Sequence, residues 1–74
     1  MIDIPINTEY IKLDQFLKLS DIIGSGGEAR TFISENRILV NNVPENWRGK
    51  KLRSGDIISV NNKDYQIVQN GEMK

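Results

Sequence analysis

Apolar positions along the chain switch between two periods, and each switch marks an element. Ile2, Ile4 and Ile6 alternate with Asp3 and Pro5, the two-residue period of a half-buried strand. Pro5 has no amide hydrogen to give to a ladder, so this segment belongs at a sheet edge or a strand end. Residues 7–10 read as a connector. Leu13, Phe16 and Leu17 then take helical spacing, and Leu19 with Ile22 or Ile23 extends the same side. Asp14 falls in the first turn, where negative charge suits the helix dipole, and Lys18 follows four residues on. Gly24 is expected to end this helix and open a short turn. Ala29, Phe32 and Ile33 repeat the helical spacing, with Arg30, Ser34 and Arg37 near the other side. Ser25 followed by Glu28 is a capping-box pattern, which predicts that the second helix starts there.

The shorter period returns at Ile38-Leu39-Val40. Asn41 and Asn42 close that strand, and both tolerate the positive φ of a tight hairpin. After Val43-Pro44-Glu45 comes a polar, basic loop, Asn46 to Arg53. Ser54-Gly55-Asp56 is a turn signal, and Ile57 to Val60 is a strand. Asn61 to Asp64 makes another turn, Tyr65 to Val68 alternates as a last strand, and residues 69–74 are expected to fray. The predicted order is β-α-α-β-β-β. It describes an α+β fold in which two helices, paired like a helix-turn-helix, pack on a small, mostly antiparallel sheet. With 74 residues there is room for one domain, expected to span residues 1–74.

Composition narrows the chemistry. A hydrophobic content of 38% is too high for a disordered tail. Cysteine is absent, which removes disulfides, thiol chemistry and thiolate metal sites and fits a reducing cytoplasm. No apolar run approaches the ~20 residues of a membrane span, and the N-terminus lacks the pattern of a signal peptide. Histidine is absent too, so the usual general base and the usual thiolate nucleophile are both missing. The acids are scattered and form no calcium-loop pattern. The expectation is a binding module, not an enzyme, with no cofactor and no metal.

The formal net charge is zero, but the charges are segregated. Between residues 30 and 53, Arg30, Arg37, Arg48, Lys50, Lys51 and Arg53 face only Glu35 and Glu45, a local balance of +4. The rest of the chain carries −4. Such segregation is an electrostatic footprint for an anionic partner, against the plainer reading of a solvated loop. Trp47 stands beside Arg48, where it could stack on an unpaired base or cover the end of a small core. Gly24, Gly26 and Gly27 precede a helix start, so Ser25, Gly26 and Gly27 are candidate phosphate contacts. A tight interhelical turn is the favoured reading of these glycines, and no Lys-Ser/Thr pair follows as a nucleotide loop requires. Phe16 and Phe32 are core by spacing.

Several short motifs then agree in order. Leu13-Asp14-Gln15-Phe16-Leu17-Lys18, Ser25-Gly26-Gly27-Glu28-Ala29-Arg30 through Ile33, Leu39-Val40-Asn41-Asn42, and Lys51-Leu52-Arg53-Ser54-Gly55-Asp56-Ile57-Ile58 resemble the S-four RNA-binding domain. That family takes its name from small-subunit ribosomal protein four, and its helix pair with hairpin is also called the alpha-L motif. The resemblance runs from Lys12 to Val60 and is greatest to short bacterial members that consist of this domain alone. It implies binding of structured RNA, ribosomal or transfer RNA, in ribosome assembly or translation, with ribosomal particles as further partners. By position, Lys12, Arg30, Lys50, Lys51 and Arg53 match the family's basic residues, and Arg37, Trp47 and Arg48 join them from the same basic segment. Two departures stand out. Gly26 replaces a frequent Arg or Lys and removes one phosphate contact, while Asn42 replaces a common Gly at the hairpin. The neutral total charge implies weaker RNA affinity than in strongly basic relatives. Two other readings start from the same residues. One is a protein-docking module that sets Trp47 and the basic loop against an acidic partner. The other is a β-grasp sulfur-carrier protein, whose reactive Gly-Gly terminus the sequence lacks.

Overall fold

The computed structural model describes residues 1–70. Strands β1 (Ile2–Ile6), β3 (Ile38–Val40), β4 (Val43–Pro44), β6 (Ile57–Val60) and β7 (Lys63–Gln69) form a five-stranded sheet in the order β1-β7-β6-β3-β4. All its pairings are antiparallel except β1 with β7, where Ile4 lies opposite Ile67. Strands β2 (Ile11–Lys12) and β5 (Lys51–Leu52) make a separate antiparallel pair. Helices α1 (Leu13–Leu19) and α2 (Ala29–Glu35) complete the α+β fold, with a 3-10 turn at Gly26–Glu28 leading into α2.

The core follows from the two periods. Ile4, Ile6, Ile38, Val40, Ile58, Val60, Tyr65 and Ile67 alternate along their strands and share one buried face of the sheet. Onto that face pack Leu13, Phe16 and Leu17 of α1, Ala29 and Ile33 of α2, and Leu52 of β5. Phe16 meets Tyr65 edge-to-face, with ring centroids 5.4 Å apart. Burying side chains of this size stabilises by roughly 1.5–3 kcal/mol each. Helices of seven residues would not persist in water alone, so this packing is what holds them. Phe32 is only partly buried, at the margin of the cluster.

Several details depart from the sequence expectations: Phe32, expected in the core, is only partly buried, and Val43–Pro44, outside the predicted strands, pairs with β3 as β4. Helix α1 stops at Leu19, not at Gly24. Its end is a Schellman motif in which the Ile22 amide bonds the Leu17 carbonyl at 3.0 Å and the Asp21 amide bonds the Lys18 carbonyl at 3.1 Å. Asp21 takes the left-handed φ of 62° that glycine usually supplies there, which short polar residues tolerate. Leu19 is consequently left more than half exposed.

Ser25 and Glu28 do not form the reciprocal cap. The Ser25 hydroxyl donates to the Glu28 carboxylate at 3.3 Å, and the other carboxylate oxygen accepts from the Gly24 amide at 3.4 Å. Ser25 leads into the 3-10 turn, not into the α-helix, and α2 proper begins at Ala29.

Ile11–Lys12, just after the expected connector, and the expected basic loop each contribute a two-residue strand, β2 and β5. Leu52, within the expected loop, is fully buried. Finally, the fray expected from residue 69 is absent at Gln69 and Asn70. Gln69 lies opposite Ile6, and the Asn70 amide bonds the Ile6 carbonyl at 2.6 Å. The remainder of that expected tail, 71–74, lies outside the described residues.

Candidate nucleic-acid interface

The basic segment is held by its backbone. The first amides of α1 have no partner within their own helix, and two of them are satisfied from the loop. The Leu13 amide donates to the Lys50 carbonyl at 2.8 Å and the Asp14 amide to the Arg48 carbonyl at 3.1 Å. The Lys12 amide bonds the Gln15 side chain at 3.0 Å, which closes the turn that carries β2 into α1. One turn further along the loop, the Lys50 amide bonds the Trp47 carbonyl at 3.0 Å. Asp56 secures the far end: its carboxylate accepts from the Arg53 amide at 2.8 Å and from the Asn41 side chain at 3.1 Å. Gly55 makes the turn between them at a φ of 97°, a conformation that favours glycine. With its carbonyls and amides engaged inward, the loop presents its cationic side chains outward.

Those side chains fall in neighbouring grooves. Arg30 and Ser34 of α2 line an open cleft of about 520 Å³ together with Ile33, Asn46, Trp47 and Arg48. Lys50, Lys51 and Arg53 line a second cleft of about 430 Å³ against the β3–β4 hairpin and Asp56. Arg37 lies in a third, between the end of α2 and Glu45-Asn46, which shares Ile33 and Asn46 with the first. Lys12 stands directly opposite Lys51 on the β2–β5 pair. Like charges placed so oppose pairing, so this register gathers positive charge at a cost to local stability. Lys12 itself lines a separate cleft with Tyr10, Gln15 and Leu19, so it joins the cationic surface only through its pairing with Lys51. Ser25, Gly26 and Gly27 line none of these three clefts, and the Glu28 carboxylate already occupies the Gly24 amide and the Ser25 hydroxyl. Gly26 has open space where a side chain would begin, so nothing steric excludes a larger residue there.

Tyr10, at the end of the expected connector, contacts two cations of this surface. The Lys51 ammonium lies 4.9 Å from its ring centroid and the Arg53 guanidinium 5.6 Å, both within cation–π range. Its position is fixed by the Thr8 hydroxyl, which donates to the Tyr10 carbonyl at 2.8 Å. An aromatic preceding an Ile-Lys pair carried no signal of this role, because only the β2–β5 pairing brings residues 10 and 51–53 together. Trp47 is 62% exposed and does not cover the core. Among the described residues no three His, Cys, Asp or Glu side chains group as a metal site would require, and no helix is long and apolar enough to cross a membrane.

A helix pair, a hairpin closed by two asparagines and a basic loop bound back onto α1 define a small α+β domain with a cationic margin. The S4 domain model matches residues 4–68, and the chain belongs to that family. It is also 50% identical over 66 residues to a Bacillus subtilis (strain 168) protein named "Probable ribosome maturation protein RlbA", covering 88% of this chain and 93% of that one. Family membership leaves the carrier-protein reading without support. The family's match begins eight residues before the Lys12 motif and ends eight after Val60, because β1 and β7 belong to the same sheet as the motif strands.

Proposed function

We propose that this chain binds structured RNA, ribosomal or transfer RNA, and acts in ribosome maturation within the cytoplasm as a single binding unit and not as an enzyme. The observation that carries the proposal is the convergence of α2 and the basic loop: Arg30 and Arg48 line one cleft, and Lys50, Lys51 and Arg53 line its neighbour. Phosphates spaced along an RNA backbone match such a row of cations, and a loop pinned through its main chain spends little entropy when it binds. The name of the Bacillus subtilis relative points to the same process. Lys12, Arg30, Arg37, Arg48, Lys50, Lys51 and Arg53 are the proposed phosphate contacts. Ser25, Gly26 and Gly27 are peripheral ones, reached only if the RNA extends along the interhelical turn.

The test is RNA affinity of an Arg30→Glu, Lys50→Glu, Lys51→Glu variant, with circular dichroism to confirm folding. Each reversal replaces an attraction with a repulsion, so a loss of about a hundredfold or more is expected at fixed salt. For the native chain, neutralising about four phosphates gives a slope of log K against log salt of roughly −3 to −4. Unchanged affinity in the folded variant would remove the proposed surface. A slope near zero for every structured RNA tried would favour an acidic protein partner.

A further inference from the structure

An exposed tryptophan usually costs solubility, and Trp47 is the sole tryptophan of the chain. A Cβ built on Gly49 would lie 3.0 Å from the Trp47 Cε2 and Nε1 atoms and 3.1 Å from Cζ2. These three atoms are the outer edge of the fused rings, so the Gly49 main chain packs against that side of the indole. That side of the ring is backed by main chain, at a distance only glycine allows. The residue remains 62% exposed, so the other side of the ring is open. The backing is firm. The Trp47 amide donates to the Glu45 carboxylate at 3.2 Å, its carbonyl accepts from Lys50, and the Arg48 carbonyl is bound to α1.

The open side belongs to the cleft of about 520 Å³ that Arg30, Ile33, Ser34, Asn46 and Arg48 also line. Each class of group in it has a matching part in one nucleotide. An aromatic face and the Ile33 side chain suit a base plane, the two guanidiniums suit the flanking phosphates, and the Asn46 amide and Ser34 hydroxyl suit base edges. A duplex groove offers no free base plane to this cleft, since the interior bases are stacked on each other. We infer that the cleft between α2 and Trp47 receives a single unpaired base, so that the protein recognises a duplex beside an unstacked nucleotide. This rests on the RNA-binding role proposed above and adds to it the feature of the RNA that is selected.

Trp47 fluorescence reads the cleft directly, because no other tryptophan contributes. Three probes share one RNA duplex: blunt-ended, with a single-nucleotide 3′ overhang, and with an abasic nucleotide as the overhang. The overhang with its base should bind about tenfold more tightly than the abasic one and quench Trp47, within the range that stacking one base supplies. The abasic and blunt probes should bind with little quenching. Trp47→Leu should bring the affinities for the base-bearing and abasic overhangs to within about twofold of each other. Gly49→Ala, which displaces the indole, should reduce the preference as well. Equal affinity for the base-bearing and abasic overhangs, with the duplex still bound, would overturn the base site and leave RNA binding standing. Absence of binding to all three probes, with quenching by an acidic peptide instead, would overturn both.

Discussion

Two turns of this molecule have the same sequence, the same backbone and opposite surroundings. Asn41-Asn42 and Asn61-Asn62 both carry positive φ at each position, 52° and 69° in one, 51° and 73° in the other. That pair of values is the two-residue hairpin whose twist matches its strands. Each first asparagine then does the same work across the β3–β6 ladder. The Asn41 side-chain oxygen accepts from the Ile57 amide at 3.0 Å, and the Asn61 oxygen accepts from the Arg37 amide at 3.2 Å. Their side-chain amides donate in turn to Asp56 at 3.1 Å and to Asn36 at 2.9 Å. Each turn thereby latches onto the start of the strand beside it.

The partners differ, and that difference separates an end that anchors a helix from one that anchors the cationic loop. Asn36 is neutral and passes the connection to the last turn of α2, where its amide donates to the Phe32 carbonyl at 2.9 Å. Asp56 is charged and passes it to the Arg53 amide at the base of the cationic loop. The same local device thus anchors a helix at one end of the ladder and a candidate RNA surface at the other. Identical backbone geometry says nothing about function. The residue that receives the latch does.

Removing either latch tests whether the two are equivalent in stability. Asn41→Ala and Asn61→Ala each lose two side-chain hydrogen bonds, about 1 kcal/mol apiece, and each puts Ala at positive φ for about 1 kcal/mol more. Both should therefore lose about 2–3 kcal/mol in denaturant unfolding. Only Asn41→Ala should also weaken RNA binding, because Asp56 and Arg53 lie on its side. Equal RNA affinity in the two variants would break the distinction between the ends.

Making the charged latch neutral sharpens it further. Asp56→Asn offers one acceptor to two donors, so it should cost about 1 kcal/mol of stability. It also removes a carboxylate from the cleft that Lys50, Lys51 and Arg53 share, so RNA affinity should rise, about threefold at low salt. A fall in affinity would mean that holding the Arg53 backbone matters more than the local charge. The smallest effects belong to the second turn positions. Asn42→Gly and Asn62→Gly keep the backbone that Asn-Gly hairpins prefer, and each should shift stability by no more than about 0.5 kcal/mol. A larger loss at only one of them, measured by thermal unfolding, would show that the turns are not equivalent after all.

Elements set by local periodicity and turn chemistry were legible in the chain. The alternation of Ile2, Ile4 and Ile6, the helical stripes of Leu13-Phe16-Leu17 and Ala29-Ile33, and both asparagine turns carry their conformation within a few residues. The clustering of cations between residues 30 and 53 was visible too, because charge is a property of composition. Long-range pairing decided the rest. Strands β2 and β5 are two residues each and show no period, so nothing but their mutual pairing makes Leu52 a core residue or brings Tyr10 under Lys51 and Arg53. The parallel partnership of β1 with β7 joins the two ends of the described chain and orders Gln69 and Asn70, which no local signal favoured. Helix α1 ends at an aspartate because the Schellman hydrogen bonds and Ile23 burial reward the turn more than the left-handed backbone costs. The sequence determined the two helical stripes, the longer strands, the asparagine turns and where the positive charge lies. Only the tertiary structure decided which cations share a cleft and that Trp47 faces solvent, since those depend on contacts between residues far apart in the chain.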